Sequence, residues 1–168
     1  MDWDAVSAVA EVIGAIAIVI SLIYVGVQVN DGTRAARSAT ASDAASVMQA
    51  WYLEVGSEAQ KSKLFLNGIA NPDELSREEF YQFTMMLHAG FLAFQNAYYL
   101  SQEGTLDGGL QRSITNVMLA VKDQPGFHLY WNDRKQMFNP SFVGFVDNLL
   151  ESDEHLPLAT YPSPQQSG

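Results

Sequence analysis

Residues 3–29, WDAVSAVAEVIGAIAIVISLIYVGVQV, decide how the chain is read. The hydrocarbon core of a bilayer is about 30 Å thick and needs about 20 mostly apolar residues in a helix. Residues 12–27 carry no charge, and their polar side chains are only Ser21 and Tyr24. Extending back through residues 5–10 reaches spanning length and brings in Glu11. Trp3 and Tyr24 stand where interfacial aromatics belong. The alternatives are a buried core helix, which rarely needs so long an apolar run, and a cleaved signal peptide. Asp2 and Asp4 in place of a basic leader argue against the second.

The flanks set an orientation. Asp2 and Asp4 precede the segment, and Arg34 and Arg37 follow it. Lys and Arg near a span favour the cytoplasmic side. This predicts a single-pass inner-membrane protein with its N-terminus outside and residues 30–168 in the cytoplasm.

Within the helix, Ser7, Ala10, Gly14, Ala17 and Ser21 recur at alternating spacings of three and four, and Tyr24 and Gln28 continue the register. In lipid, helices associate by close packing through small residues. The strip therefore reads as a helix–helix interface, with copies of itself or with other membrane-protein subunits. The plain alternative is that Ala and Gly are common in spans. Glu11 borders the strip. A carboxylate at the centre of a span costs about 2.5 to 3.5 kcal/mol on insertion scales, and less near an end. Three roles stay open for it: a protonated group bonding between helices, a pore-lining or proton-binding carboxylate, or a first-turn residue reaching the outer surface.

Composition narrows the function. Nineteen acidic residues against nine basic give a formal charge of −10, which disfavours nucleic acid and broad docking on anionic lipid. With no cysteine, disulfides and thiolate chemistry are excluded. The histidines are His88, His128 and His155, and none stands in an H-E-x-x-H pattern. His88 and His128 read as packing residues. P-loop, G-x-G-x-x-G and nucleophile-elbow motifs are absent. The acidic group Asp73, Glu74, Glu78 and Glu79 suits a helix start. The expectation is no enzyme, no catalytic residue, no cofactor and no metal.

Beyond the span, the pattern predicts an all-α chain in four parts: the transmembrane helix 3–29, a juxtamembrane helix 30–56, a helical soluble domain 57–151 and a disordered acidic, Pro-rich tail 152–168. Asn30, Asp31 and Gly32 mark the exit, with an end or kink at Gly32. A helix at 57–70 turns Leu64, Phe65, Leu66 and Ile69 inward. Ser76 with Glu79 is a capping-box pattern. It opens a helix at 77–102 whose apolar face carries Phe80, Phe83, Met86, Leu87, Phe91, Phe94, Tyr98 and Tyr99. A second span there is disfavoured by Gln82, His88, Gln95 and Asn96. Gly104, Gly108 and Gly109 break the helix, and another follows at 110–122. Pro125-Gly126 stops that one, and Asn139 and Pro140 start the last. Residues 131–135 read as a mixed-charge surface turn open to a partner. In the tail, Leu156, Leu158 and Tyr161 are candidates for docking on a neighbour.

The order of several pieces carries a resemblance. Glu11 with Gly14-Ala15-Ile16-Ala17, Tyr24-Val25, Gln28-Val29 and Thr33-Arg34-Ala35 lead. Phe94-Gln95-Asn96, Tyr98-Tyr99, Pro125-Gly126, Trp131, Phe138-Asn139-Pro140 and Phe142 follow. In this order, up to about Asp147, the chain resembles a family of small uncharacterised bacterial proteins with an N-terminal membrane helix and a helical soluble domain. The resemblance implies architecture and brings no activity with it.

Two functions fit these readings. One is a membrane-anchored structural or accessory subunit that self-associates, or joins a larger membrane complex, through the small-residue strip. The other is an oligomeric pore with Glu11 near its outer mouth. Val, Ile and Ala fill most faces of the span and leave Ser7, Glu11 and Ser21 as a thin lining, which favours the first.

Overall fold

A computed structural model describes residues 3–154 and residue 156, with only the backbone of Ala5. The described residues form six α-helices, two short 3-10 turns and no strand. The helices are α1 (Trp3–Gly56), α2 (Ala59–Ala70), α3 (Arg77–Gln102), α4 (Gly108–Val121), α5 (Pro125–Arg134) and α6 (Pro140–Glu151). The chain divides into two compact units, Met1–Ala39 and Thr40–Gly168.

In the first unit, α1 runs without interruption through Asn30, Asp31 and Gly32, where an end or kink was expected. A glycine inside a helix costs only about 1 kcal/mol relative to alanine, and the Ala-rich residues that follow favour continuing. Among the described residues, α1 is the one helix long and apolar enough to cross a membrane, and none of its 18-residue apolar window is buried.

The second unit takes up the rest of α1. From Thr40 onward, Ala44 and Met48 are buried, with Ala41 and Trp51 packed against the core. Their spacing of three and four places them on one helical face. The Trp51 indole donates to the Met86 carbonyl on α3 at 2.8 Å.

Helix α3 organises this unit. Its start is the expected capping box. Ser76 Oγ accepts from the Glu79 amide at 3.2 Å, and the Glu79 carboxylate accepts from the Ser76 amide at 2.9 Å. The Ser76 backbone amide foremost, and after it the Ser76 side chain, hold the Glu79 carboxyl below the usual carboxylate range. Phe83, Leu87, Phe91 and Phe94 are all buried. Tyr99, expected on the same face, is exposed. Phe91 has 0% exposure. Its ring centre lies 4.9 Å from Tyr130, 5.1 Å from Phe127 and 5.2 Å from Trp131.

The connections use local chemistry. Gly104 ends α3 at φ +68°, a left-handed value that suits glycine, and the Leu106 amide returns to the Leu100 carbonyl at 3.0 Å. Gly108 and Gly109, expected to be breakers only, form the first turn of α4. Asp107 caps that turn by accepting from the Gly109 amide at 2.8 Å. Pro125 opens α5. Gly126 lets α5 approach α2: a Cβ there would sit 2.0 Å from the Gly68 carbonyl oxygen. Asn139 caps α6 by accepting from the Ser141 amide at 3.0 Å. On α2, Ile69 is buried and Leu64 and Phe65 pack on the core, whereas Leu66, expected inward, is 47% exposed.

Phe91→Ala should destabilise the folded unit by about 3 to 5 kcal/mol, as expected for a fully buried aromatic. Tyr81→Ala, at an exposed position of the same helix, should stay within about 0.5 kcal/mol. Denaturant unfolding of the full chain measures both, and equal effects at the two positions would contradict this packing.

Candidate functional site

The expected interface residues lie on one helix. Ser7, Ala10, Gly14, Ala17 and Ser21 are all exposed along α1 in the single chain. Nothing within 4 Å would meet a Cβ at Gly14. Ser21, Tyr24 and Gln28 of this register bond within their own helix. Ser21 Oγ donates to the Ala17 carbonyl at 2.8 Å, and Gln28 Nε2 donates to the Tyr24 hydroxyl at 2.9 Å. The Ser21 bond lets that hydroxyl face an apolar surrounding without an orphaned donor.

Glu11 sits apart from these bonds. It is exposed, and no hydrogen bond or ion pair forms to it among the described residues. Helix α1 begins at Trp3, with Asp4 as the acid of its first turn. Glu11 therefore lies two turns further in, where the field of a helix terminus has decayed. The first-turn placement is thereby corrected, and the roles themselves stay open.

In the second unit the polar side chains serve packing. His88 Nδ1 lies 2.7 Å from the Tyr130 hydroxyl. Burial pushes the Tyr130 phenol up, so it keeps its proton. His128, expected among packed aromatics, is exposed, and His155 lies outside the described residues. No group of three His, Cys, Asp or Glu able to hold a metal occurs among the described residues. Residues 131–135, expected as a surface turn, run through the end of α5 into a 3-10 turn. Trp131 is only 1% exposed, and its indole donates to Asp147 Oδ1 at 2.7 Å. Lys135 Nζ reaches the same carboxylate at 3.3 Å. Asn132 and Asp133 are the exposed members of this stretch.

One buried charge was not anticipated from the sequence. Lys122, at the C-cap of α4, is 1% exposed. Its ammonium donates to the Leu149 carbonyl at 3.4 Å and to the Ser152 carbonyl. Both oxygens lie at the C-terminal end of α6, where a cation satisfies orphan carbonyls and complements the helix dipole. The role is structural: Lys122 ties the end of α4 to the end of α6. Spacing alone marks it as a surface residue, because a lone lysine after an apolar helix carries no signal of its distant partner.

Comparison with protein-family models, with curated proteins and with solved structures finds no match to this chain. The assignment of function therefore rests on the residues themselves.

Lys122→Met keeps the aliphatic stem and removes the ammonium. Hydrogen bonds from charged groups are worth about 1.5 to 3 kcal/mol each, so a loss of about that size is expected in denaturant unfolding. Unchanged stability would show that Lys122 does not hold α6.

Proposed function

We propose that the chain is a membrane-anchored structural or accessory subunit, with α1 crossing the bilayer and the second unit lying in the cytoplasm of a bacterial cell. The observation that carries this is the apolar window of α1, which its own chain leaves wholly uncovered. Aliphatic side chains such as Ile13, Ile18, Leu22 and Ile23 are more than half exposed. Each is worth about 1.5 to 3 kcal/mol on leaving water. Four of them outweigh the roughly 2.5 to 3.5 kcal/mol charged to a central carboxylate on insertion scales, so Glu11 does not prevent insertion. Arg34 and Arg37 after the window and Asp2 and Asp4 before it support the orientation.

In this reading the small-residue strip joins α1 to its neighbours, either copies of this chain or other membrane subunits. The same order of motifs supports membership of the resembled family of membrane-anchored helical proteins. No catalytic role enters the proposal. The pore alternative is not favoured, because aliphatic side chains occupy most faces of the window.

Gly14→Leu tests the strip. A Cβ at Gly14 meets nothing within 4 Å among the described residues, and leucine is the better helix former, so a loss of assembly points to a neighbouring helix. Dispersion contacts of about 0.1 to 0.2 kcal/mol each are lost together when helices are pushed apart. Native mass in mild detergent should fall to a smaller assembly for Gly14→Leu and stay unchanged for Ile18→Leu, which lies off the strip. Unchanged mass in both would reduce α1 to a plain anchor. Orientation is checked by reporters fused after Gly168: one active only in the cytoplasm should work, and activity only from a periplasmic reporter would reverse it.

A further inference from the structure

The second unit contains an apolar cavity of about 520 Å³ between residues 51–52 of α1 and helices α2, α3 and α4, with Gln124 and Phe127 also in its lining. This lies within the usual range of small-molecule sites, about 300 to 1,000 Å³. Its walls include Trp51, Phe65, Leu87 and Val117, and its floor is the fully buried Phe91 and Phe127. The walls are already set in place. The Trp51 indole is fixed by its bond to Met86, and it lies against Gly90, where a Cβ would come within 2.9 Å of the ring. The rim carries Leu66 and Tyr52, both about half exposed (47% and 50%). Tyr52 also lines a second apolar depression of about 510 Å³, between α1 and α4. Leu66, exposed on α2, thereby has a place in the lining of the first cavity.

Among the described residues, no charged side chain lines the cavity. A carboxylate or phosphate head would lose its water there without a cation in exchange, which is costly. Lys122, next to Val121 in the wall, is committed to the carbonyls of α6. Two side-chain amides line the cavity instead, Asn116 and Gln124. Gln124 stands at the N-cap of α5, yet its side chain makes no capping bond. Neither amide has a side-chain partner among the described residues. Each can donate and accept, which matches an uncharged hydroxyl, ester or amide.

We propose that this cavity binds the hydrocarbon chain of a single-chain amphiphile with an uncharged, hydrogen-bonding head, of the monoacylglycerol class, and that Asn116 and Gln124 receive the head. The inference concerns the folded unit alone and does not depend on α1 spanning a bilayer.

The test uses the full chain held in amphipol, free of competing detergent, and a monoacylglycerol with a photoreactive diazirine in its acyl chain. Mass spectrometry should map saturable labelling to residues 51–52, 65–70 and 113–127. Unlabelled monoolein should compete, and oleate at pH 8 should compete at least tenfold more weakly. Ala120→Phe, which fills the cavity, and Leu66→Glu, which places a charge on its exposed rim, should each lower labelling at least tenfold. Leu66 is exposed, so its variant should keep the melting temperature, and the loss would then not reflect unfolding. Labelling confined to residues 3–29, equal competition by oleate, or labelling unchanged in both variants would each overturn the proposal. So would an unlabelled cavity in the folded wild-type chain, the outcome expected if a second copy or residues 157–168 already fill it.

Discussion

Apolar surface in water is the constraint on which everything else in this chain depends. From residue 6 to residue 29, α1 turns aliphatic side chains outward on every face, and among the described residues no part of the apolar window is buried. A soluble helix resolves the same problem with one apolar stripe against a core, as α1 itself does from Ala44 to Trp51. One continuous helix thus holds two solutions to the hydrophobic effect. Its second part is covered by protein. Its first part, in the account proposed above, is covered by lipid and by neighbouring helices.

The folded unit meets its own needs by different means. Phe91 gathers Phe127, Tyr130 and Trp131 around one ring, and α3 therefore positions both α5 and the floor of the apolar cavity. Polar groups drawn into this packing are each matched. Trp131 bonds Asp147, His88 meets Tyr130, and Lys122 meets the end of α6. Among the described residues, this leaves Asn116 and Gln124 as the cavity-lining amides without a side-chain partner. That contrast separates a binding reading of the cavity from a mere packing fault.

Local signals in the sequence translated well into structure. The Ser76–Glu79 box, Pro140 after Asn139 and the 3.6-residue spacing of Phe83, Leu87, Phe91 and Phe94 each depend on a few neighbouring residues, and all appear as expected. Readings that depended on distant partners did not. Trp131 looked like part of a charged turn because its partner Asp147 lies on another helix. The burial of Lys122 has no signal in the sequence because the α6 carbonyls it meets lie far along the chain. Gly108 and Gly109 looked like breakers because the capping role of Asp107 was overlooked. For the candidate interface, the sequence placed Ser7, Ala10, Gly14, Ala17 and Ser21 on one strip, but what lies against it belongs to other molecules, so one chain carries no trace of it.

The most direct measurement is the fate of the native chain when its membranes are washed in alkaline carbonate and floated on a density gradient, with the intact mass then recorded. A spanning α1 predicts that the protein floats with the lipid and that its mass retains residues 3–29. Recovery in the soluble fraction, or a mature chain that has lost this segment, would contradict the account.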